Sequence, residues 1–192
     1  MTAGPATASQ TVGPFFSIAL SRPAWQNLAS AGPEGERIDI EGRVLDGAGA
    51  PVPDAVLEIW QADARGRYAH PDDPRSADCD PGFIGFGRAS TGADGSYAFA
   101  TIRPGRCAGA DGRLQAPHVA LSVFARGLLR RLVTRIYFSD EAAANSDDAV
   151  LASIRDPAAR STLIASREDG PVPRFRFDVI LQGAGETAFL DL

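Results

Sequence analysis

Metal, nucleophilic and acid–base chemistry all need side chains that can meet: imidazoles two apart on a strand, a thiol beside a histidine, phenols free to act as hard ligands. The chain carries few such groups. They are two histidines, His70 and His118, two cysteines, Cys79 and Cys107, and three tyrosines, Tyr68, Tyr97 and Tyr137. None falls in a His-x-His, His-Glu-x-x-His or Gly-x-Ser-x-Gly pattern, and no glycine-rich phosphate loop occurs. With neither Cys-x-x-Cys spacing nor a histidine nearby, the cysteines read as reduced thiols in core or loop. His118 reads as a hydrogen-bonded core histidine, and His70, followed by Pro71, Asp72, Asp73 and Pro74, as a solvated loop residue. Tyr68, Tyr97 and Trp60 read as packing aromatics, and Arg126 by type alone is a surface charge. Residue types alone give no catalytic constellation, so a non-catalytic binding or scaffold module is an equally good reading at this level.

The elements that would position these groups are strands. Residues 38–44 alternate, with Ile38, Ile40 and Val44 on one face and Asp39, Glu41 and Arg43 on the other. Residues 55–60 are apolar on nearly both faces, as expected of a strand covered on both sides. That feature, with the low charge of 119–124, suggests more apolar surface than one chain covers and hence a chain that does not persist as a monomer. Further strands are expected over 96–101, 119–124, 134–138 and 174–182, the last with Phe175, Phe177, Val179 and Leu181 on one face. Residues 140–164 favour short helices, one of them capped by Asp156 with Pro157 in its first turn. The expectation is a mainly β protein, a two-sheet β-sandwich with short helices towards the C-terminal third.

A chain of 192 residues suits one compact domain. Every basic residue is arginine, and the net charge of -5 excludes the clustered cations that nucleic acid or an anionic membrane surface would select. No apolar run approaches the ~20 residues that span a bilayer, and the first ten residues have no signal-peptide pattern, so a cytoplasmic protein is expected.

Several blocks are more specific. Gly42-Arg43-Val44, Asp46-Gly47, Pro51-Val52-Pro53 and Asp94-Gly95-Ser96-Tyr97 resemble a widespread transthyretin-like sandwich, although turn residues of this kind recur across that fold. In order along the chain, Ser9-Gln10-Thr11-Val12-Gly13-Pro14-Phe15-Phe16, Leu57-Glu58-Ile59-Trp60-Gln61-Ala62-Asp63, Gly66-Arg67-Tyr68, Phe83-Ile84-Gly85-Phe86-Gly87-Arg88, Ala116-Pro117-His118 and Arg176-Phe177-Asp178-Val179-Ile180-Leu181-Gln182-Gly183 resemble the intradiol ring-cleavage dioxygenases. Within that family, Phe124-Ala125-Arg126-Gly127 and the tail from Gly185 to Asp191 resemble the α chains of its two-chain, protocatechuate-cleaving members.

The resemblance implies ferric iron, Fe(III), held by two tyrosinates and a His-x-His pair, with an open position for a catecholate. In this chain the His-x-His position reads His118-Val119-Ala120, the two tyrosine positions fall on Cys107 and Arg75, and the family's catalytic arginine falls on Gln115. The implied arrangement is an iron-free chain with no catalytic or metal residues of its own, paired with a homologous iron-bearing β chain in a higher hetero-oligomer. Protocatechuate and O2 would meet at a shared pocket. An arm over residues 1–30 would contact the partner, with Thr11, Gly13 and Pro14 lining that pocket, and residues 31–192 would form the domain. Arg126 would face the substrate at its mouth.

Overall fold

The computed structural model describes residues 7–13, 15–109 and 111–191. Among these residues nine strands carry the fold. The alternation in β1 (Arg37–Leu45) buries Ile38, Ile40 and Val44 completely. β1 pairs antiparallel with β4 (Ser96–Ile102) and parallel with β8 (Arg174–Arg176) and β9 (Val179–Ile180). β2 (Val56–Gln61) lies between β3 (Phe86–Ser90) and β5 (His118–Phe124), and β5 continues to β6 (Leu132–Phe138).

The expected division into two separate sheets is not what the hydrogen bonds give. β7 (Ile164–Glu168) pairs parallel with β6 through Ile164 and Ala165, then antiparallel with β8 through Ser166, Arg167 and Glu168. One strand thus crosses from one layer to the other, and the ladder runs unbroken as β3-β2-β5-β6-β7-β8-β1-β4. Residues from both layers share one core, including Leu57, Leu121, Ile136, Ile40, Phe99 and Phe175. β3 and β7, which are short and carry arginine and glycine or serine, have weak strand signals in the sequence and were not expected there.

The strand expected over 174–182 is interrupted between β8 and β9. A side chain on Gly42 would stand 1.8 Å from the carbonyl oxygen of Phe177, so glycine alone permits this approach. Asp178 replaces the missing ladder acceptor by taking the N–H of Arg43 at 2.9 Å. The expected alternation survives the break, since Phe175, Phe177 and Val179 are all buried.

The helical stretch resolves into α2 (Ala142–Ser146), α3 (Ala149–Ser153) and α4 (Pro157–Ser161), preceded in the chain by α1 (Phe15–Leu20). Asp156 caps α4 as expected, taking the N–H of Ala158 at 2.9 Å. β2 is covered within the chain itself, with Val56 and Leu57 both fully buried, so its doubly apolar character reports internal packing. Among the described residues the exposed large apolar side chains are Phe15, Ile18, Ile84, Phe86, Leu114 and Leu129. Among the described residues no helix is long and apolar enough to cross a membrane.

Candidate functional site

Strand register brings the chemistry-bearing positions together. Trp60 of β2 pairs with Ala120 of β5, which pairs with Arg135 of β6; one row away His118 pairs with Tyr137. Alternation sends Val119, Leu121 and Ile136 into the core, so Trp60, His118, Ala120, Arg135 and Tyr137 share the opposite face. Two loops close over that face. The loop after β2 is pinned by Asp63, which accepts the N–H groups of Arg65 and Arg67 and pairs with the Arg67 guanidinium at 2.7 Å. The loop after β4 packs directly upon it: Gly105 donates to the carbonyl of Asp63 at 2.8 Å, and a side chain on Gly66, at φ 74°, would meet the Arg106 carbonyl at 1.9 Å.

The loops deliver Tyr68, Arg75, Cys107 and Gln115 to one place. The Tyr68 hydroxyl and Cys107 Sγ lie 3.7 Å apart, and the thiol donates to Gln115 Oε1 at 3.8 Å. Gln115 Oε1 also accepts from Arg135 Nη1 at 3.3 Å. Arg135 reaches the Tyr137 hydroxyl at 3.4 Å, and that hydroxyl donates to Asp148 at 3.1 Å. Asp148 is fully buried and accepts N–H groups from Ala116, Val150 and Leu151, so one carboxylate ties α3 to the segment before His118. Burial pulls the Asp148 carboxyl upward, but these N–H donors and Tyr137 outweigh it and hold it below the usual carboxylate range.

The same groups border a cavity of about 550 Å³ lined by Trp60, Tyr68, His70, Asp73, Arg75 and Cys107. Trp60 and Tyr68 stack with centroids 5.8 Å apart and planes 17° from parallel, and His70 presents its ring edge-on to Trp60 at 6.3 Å. Burial, then the field of Cys107, pushes the Tyr68 phenol up, so it stays protonated at neutral pH. Asp73 takes the N–H groups of Tyr68 and Arg75 together with the Arg75 side chain. Its partial burial acts the other way, yet these donors hold its carboxyl at about 2. His118 is buried and donates from Nδ1 to the Ala116 carbonyl at 2.8 Å. Burial first, and Arg135 second, lower it to about 4, so the ring is neutral at pH 7.

Ferric iron does not suit this donor set. Hard ferric ions favour anionic oxygen, and the cavity offers a protonated phenol, a thiol and a guanidinium, its buried carboxylate, Asp73, being already taken up by Arg75 and two backbone N–H groups. Ala120 contributes no donor, and Arg75 brings a positive charge to the lining.

The positions that the resemblance assigns to the substrate side lie elsewhere. Thr11 Oγ1 accepts the N–H of Gly127 at 2.8 Å, which fastens the arm beside the exposed Arg126 on the turn after β5. The Gly13 carbonyl accepts from Phe16, whose ring packs on Phe124 at 5.2 Å. Pro14 lies outside the described residues. Thr11 and Arg126 thus gather at the Phe124 end of β5, while the cavity sits at the His118 end, roughly 20 Å along the strand at its usual rise. Sequence reasoning missed Arg135 and Asp148. Only the cap spacing of Asp148 before α3 hinted at either.

A dioxygenase family model matches residues 13–183. With its fold and this ordered set of loops, the chain belongs to the intradiol dioxygenase family. More particularly, it is 42% identical to the protocatechuate 3,4-dioxygenase α chain of Pseudomonas putida, over 97% of this chain and 96% of that one. It is 38% identical to the protocatechuate 3,4-dioxygenase β chain of Burkholderia cepacia, over 81% of this chain and 68% of that one. The dioxygenase domain of a carbohydrate-binding fusion protein from Streptomyces sp. SirexAA-E superposes with a TM-score of 0.62 at 29% identity, covering 96% of this chain and 100% of that one.

Proposed function

We propose that this chain is the iron-free α subunit of an αβ protocatechuate 3,4-dioxygenase in the cytoplasm. The carrying observation is the full-length match to an α chain, against a partial match to a β chain. The cavity supports it: Arg75 and Cys107, two of the positions where the resemblance implies tyrosine ligands, line it together, and the side chains found there do not suit ferric iron. The β chain would hold the iron, which supplies a Lewis-acidic site where the catecholate and O2 react. The complex adds both atoms of O2 across the bond between the two hydroxyl-bearing carbons of protocatechuate, giving 3-carboxy-cis,cis-muconate.

This chain's own contribution is a wall of the shared pocket. Arg126, on an exposed turn and without an ion-pair partner among the described residues, attracts and orients the substrate carboxylate by charge. Thr11 holds the arm against that turn, and Gly13, with no side chain, leaves the backbone there open to close approach. Residues 1–30, with the exposed Phe15 and Ile18, would form much of the contact with the β chain in a larger hetero-oligomer. Co-expression with a homologous β chain, followed by oxygen uptake with protocatechuate, tests the reading. Uptake should require both chains. A β chain equally active alone, or a stable pair that is inactive with iron bound, would overturn it.

A further inference from the structure

We infer that the β5–β6 turn, with the arm beside it, is a docking surface for an acidic segment of the β chain that carries an apolar anchor; the inference rests on the two-chain reading above. Charge is spread unevenly along the sequence. Residues 1–33 contain no aspartate or glutamate, and neither do residues 112–139, yet these stretches carry Arg22, Arg113, Arg126, Arg130, Arg131 and Arg135. The net charge of -5 therefore originates entirely outside them. The fold brings the two stretches together: Thr11 accepts from Gly127 at 2.8 Å, and the Phe16 ring packs on Phe124.

A groove of about 220 Å³ runs along this junction. Its apolar wall comes from Val12, Phe16, Phe124 and Leu128, and Arg130 and Arg131 border it, with no carboxylate in the lining. The groove is smaller than the ~300–1,000 Å³ of small-molecule sites, which suits it to an anchoring side chain rather than a free ligand. Apolar side chains stand exposed around it: Phe15 at 77% and Ile18 at 73% share a face of α1, and Leu129 at 62% adjoins Leu128 on the turn. Arg130 and Arg131 are also exposed, and among the described residues neither forms an ion pair, not even with Asp191, which borders the groove on their other side. Exposed aromatic and aliphatic groups with arginine, and without lysine or carboxylate, are the composition of a protein interface. Covering the apolar groups takes water from the guanidinium groups that border them, and a desolvated cation needs an anionic partner. The occupant must therefore bring carboxylates together with its apolar anchor.

Sedimentation of the co-purified complex, diluted at a series of salt concentrations, measures how tightly this chain holds the β chain. Combining Arg130→Gln with Arg131→Gln should weaken association about ten-fold at low salt, and the difference should shrink as salt is added. Arg130→Glu with Arg131→Glu should weaken it further, because like charges then face each other. Leu129→Ser should weaken association by a factor that salt leaves unchanged, since it removes apolar contact alone. All three positions are exposed, so the fold itself should be unaffected. Association equal to the parent's in both arginine pairs, or a loss that salt does not shrink, would overturn the inference. So would a loss confined to self-association of this chain, which would assign the surface to a second copy. Oxygen uptake by the parent complex separates the two levels: an active parent with indifferent variants refutes the docking surface alone, whereas a parent that forms no active complex refutes the two-chain reading and this inference with it.

Discussion

Replacing Asp148 with alanine isolates the device that ties α3 to the segment before His118. The carboxylate accepts from Ala116, Val150 and Leu151 N–H and from the Tyr137 hydroxyl, all at 2.9–3.1 Å, and is fully buried. Removing it strands the buried N–H groups of Ala116 and Leu151 and opens the first turn of α3. A lost cap costs about 1 kcal/mol, and each buried donor left without an acceptor costs about 1–3 kcal/mol. The expected loss is therefore about 4 kcal/mol, or about 10 °C in Tm for a chain of this size. Because the folded carboxyl titrates below its unfolded value, the contribution is complete above about pH 5 and fades as pH falls through the folded value. Urea unfolding of Asp148→Ala and the parent at pH 7 and at pH 3.5 should therefore show a gap that narrows in acid. Asp148→Asn, which keeps one acceptor oxygen, should lose about half as much at pH 7. A loss below about 1 kcal/mol, or a gap that stays constant with pH, refutes the assignment of the carboxylate as the tie.

Other consequences can be checked on the αβ complex. Separated from its partner, this chain should carry no stoichiometric iron and no tyrosinate charge-transfer band; metal analysis with a visible spectrum of each chain decides it. Arg126→Ala should lower kcat/KM for protocatechuate by about five-fold or less, and added salt should shrink the difference; a loss indifferent to salt would exclude steering. Deleting residues 1–15, or Thr11→Ala alone to a smaller degree, should raise KM; unchanged kinetics in an intact complex would remove the arm from the pocket. Arg103→Ala should destabilise the fold strongly, because its guanidinium lies 5.3 and 5.0 Å from the Phe138 and Phe175 ring centroids while pairing with Glu36 and Asp140.

Strict alternation made β1 legible from Ile38, Ile40 and Val44, and punctuation by Asp94-Gly95 made β4 legible. β7 was not: Ile164-Ala165-Ser166-Arg167-Glu168 carries one strong strand former, and it is held by partners on two strands rather than by its own preference. The interruption after β8 followed from Gly42, far away in sequence, whose missing side chain admits the Phe177 carbonyl. At the candidate site the resemblance singled out Arg75, Cys107, Gln115 and His118, and the structure brings them together. Nothing local in the chain announced that Gln115 would mediate between a thiol and an arginine, because that contact depends on a loop closing over a strand face.

The parallel pairing of β1 with β8 and β9 has a kinetic side. Arg43, near the start of the domain, donates its N–H to Asp178, 135 residues on. Until β8 leaves the ribosome, β1 can pair only with β4, and its other edge stands open with the apolar Ile38 and Ile40 beside it. Closing so long a loop is slow and rewards nothing until it is finished. Each newly made chain therefore passes through an interval as an unsealed sheet edge, and expression temperature and chaperone supply, more than final stability, set how much of it escapes aggregation.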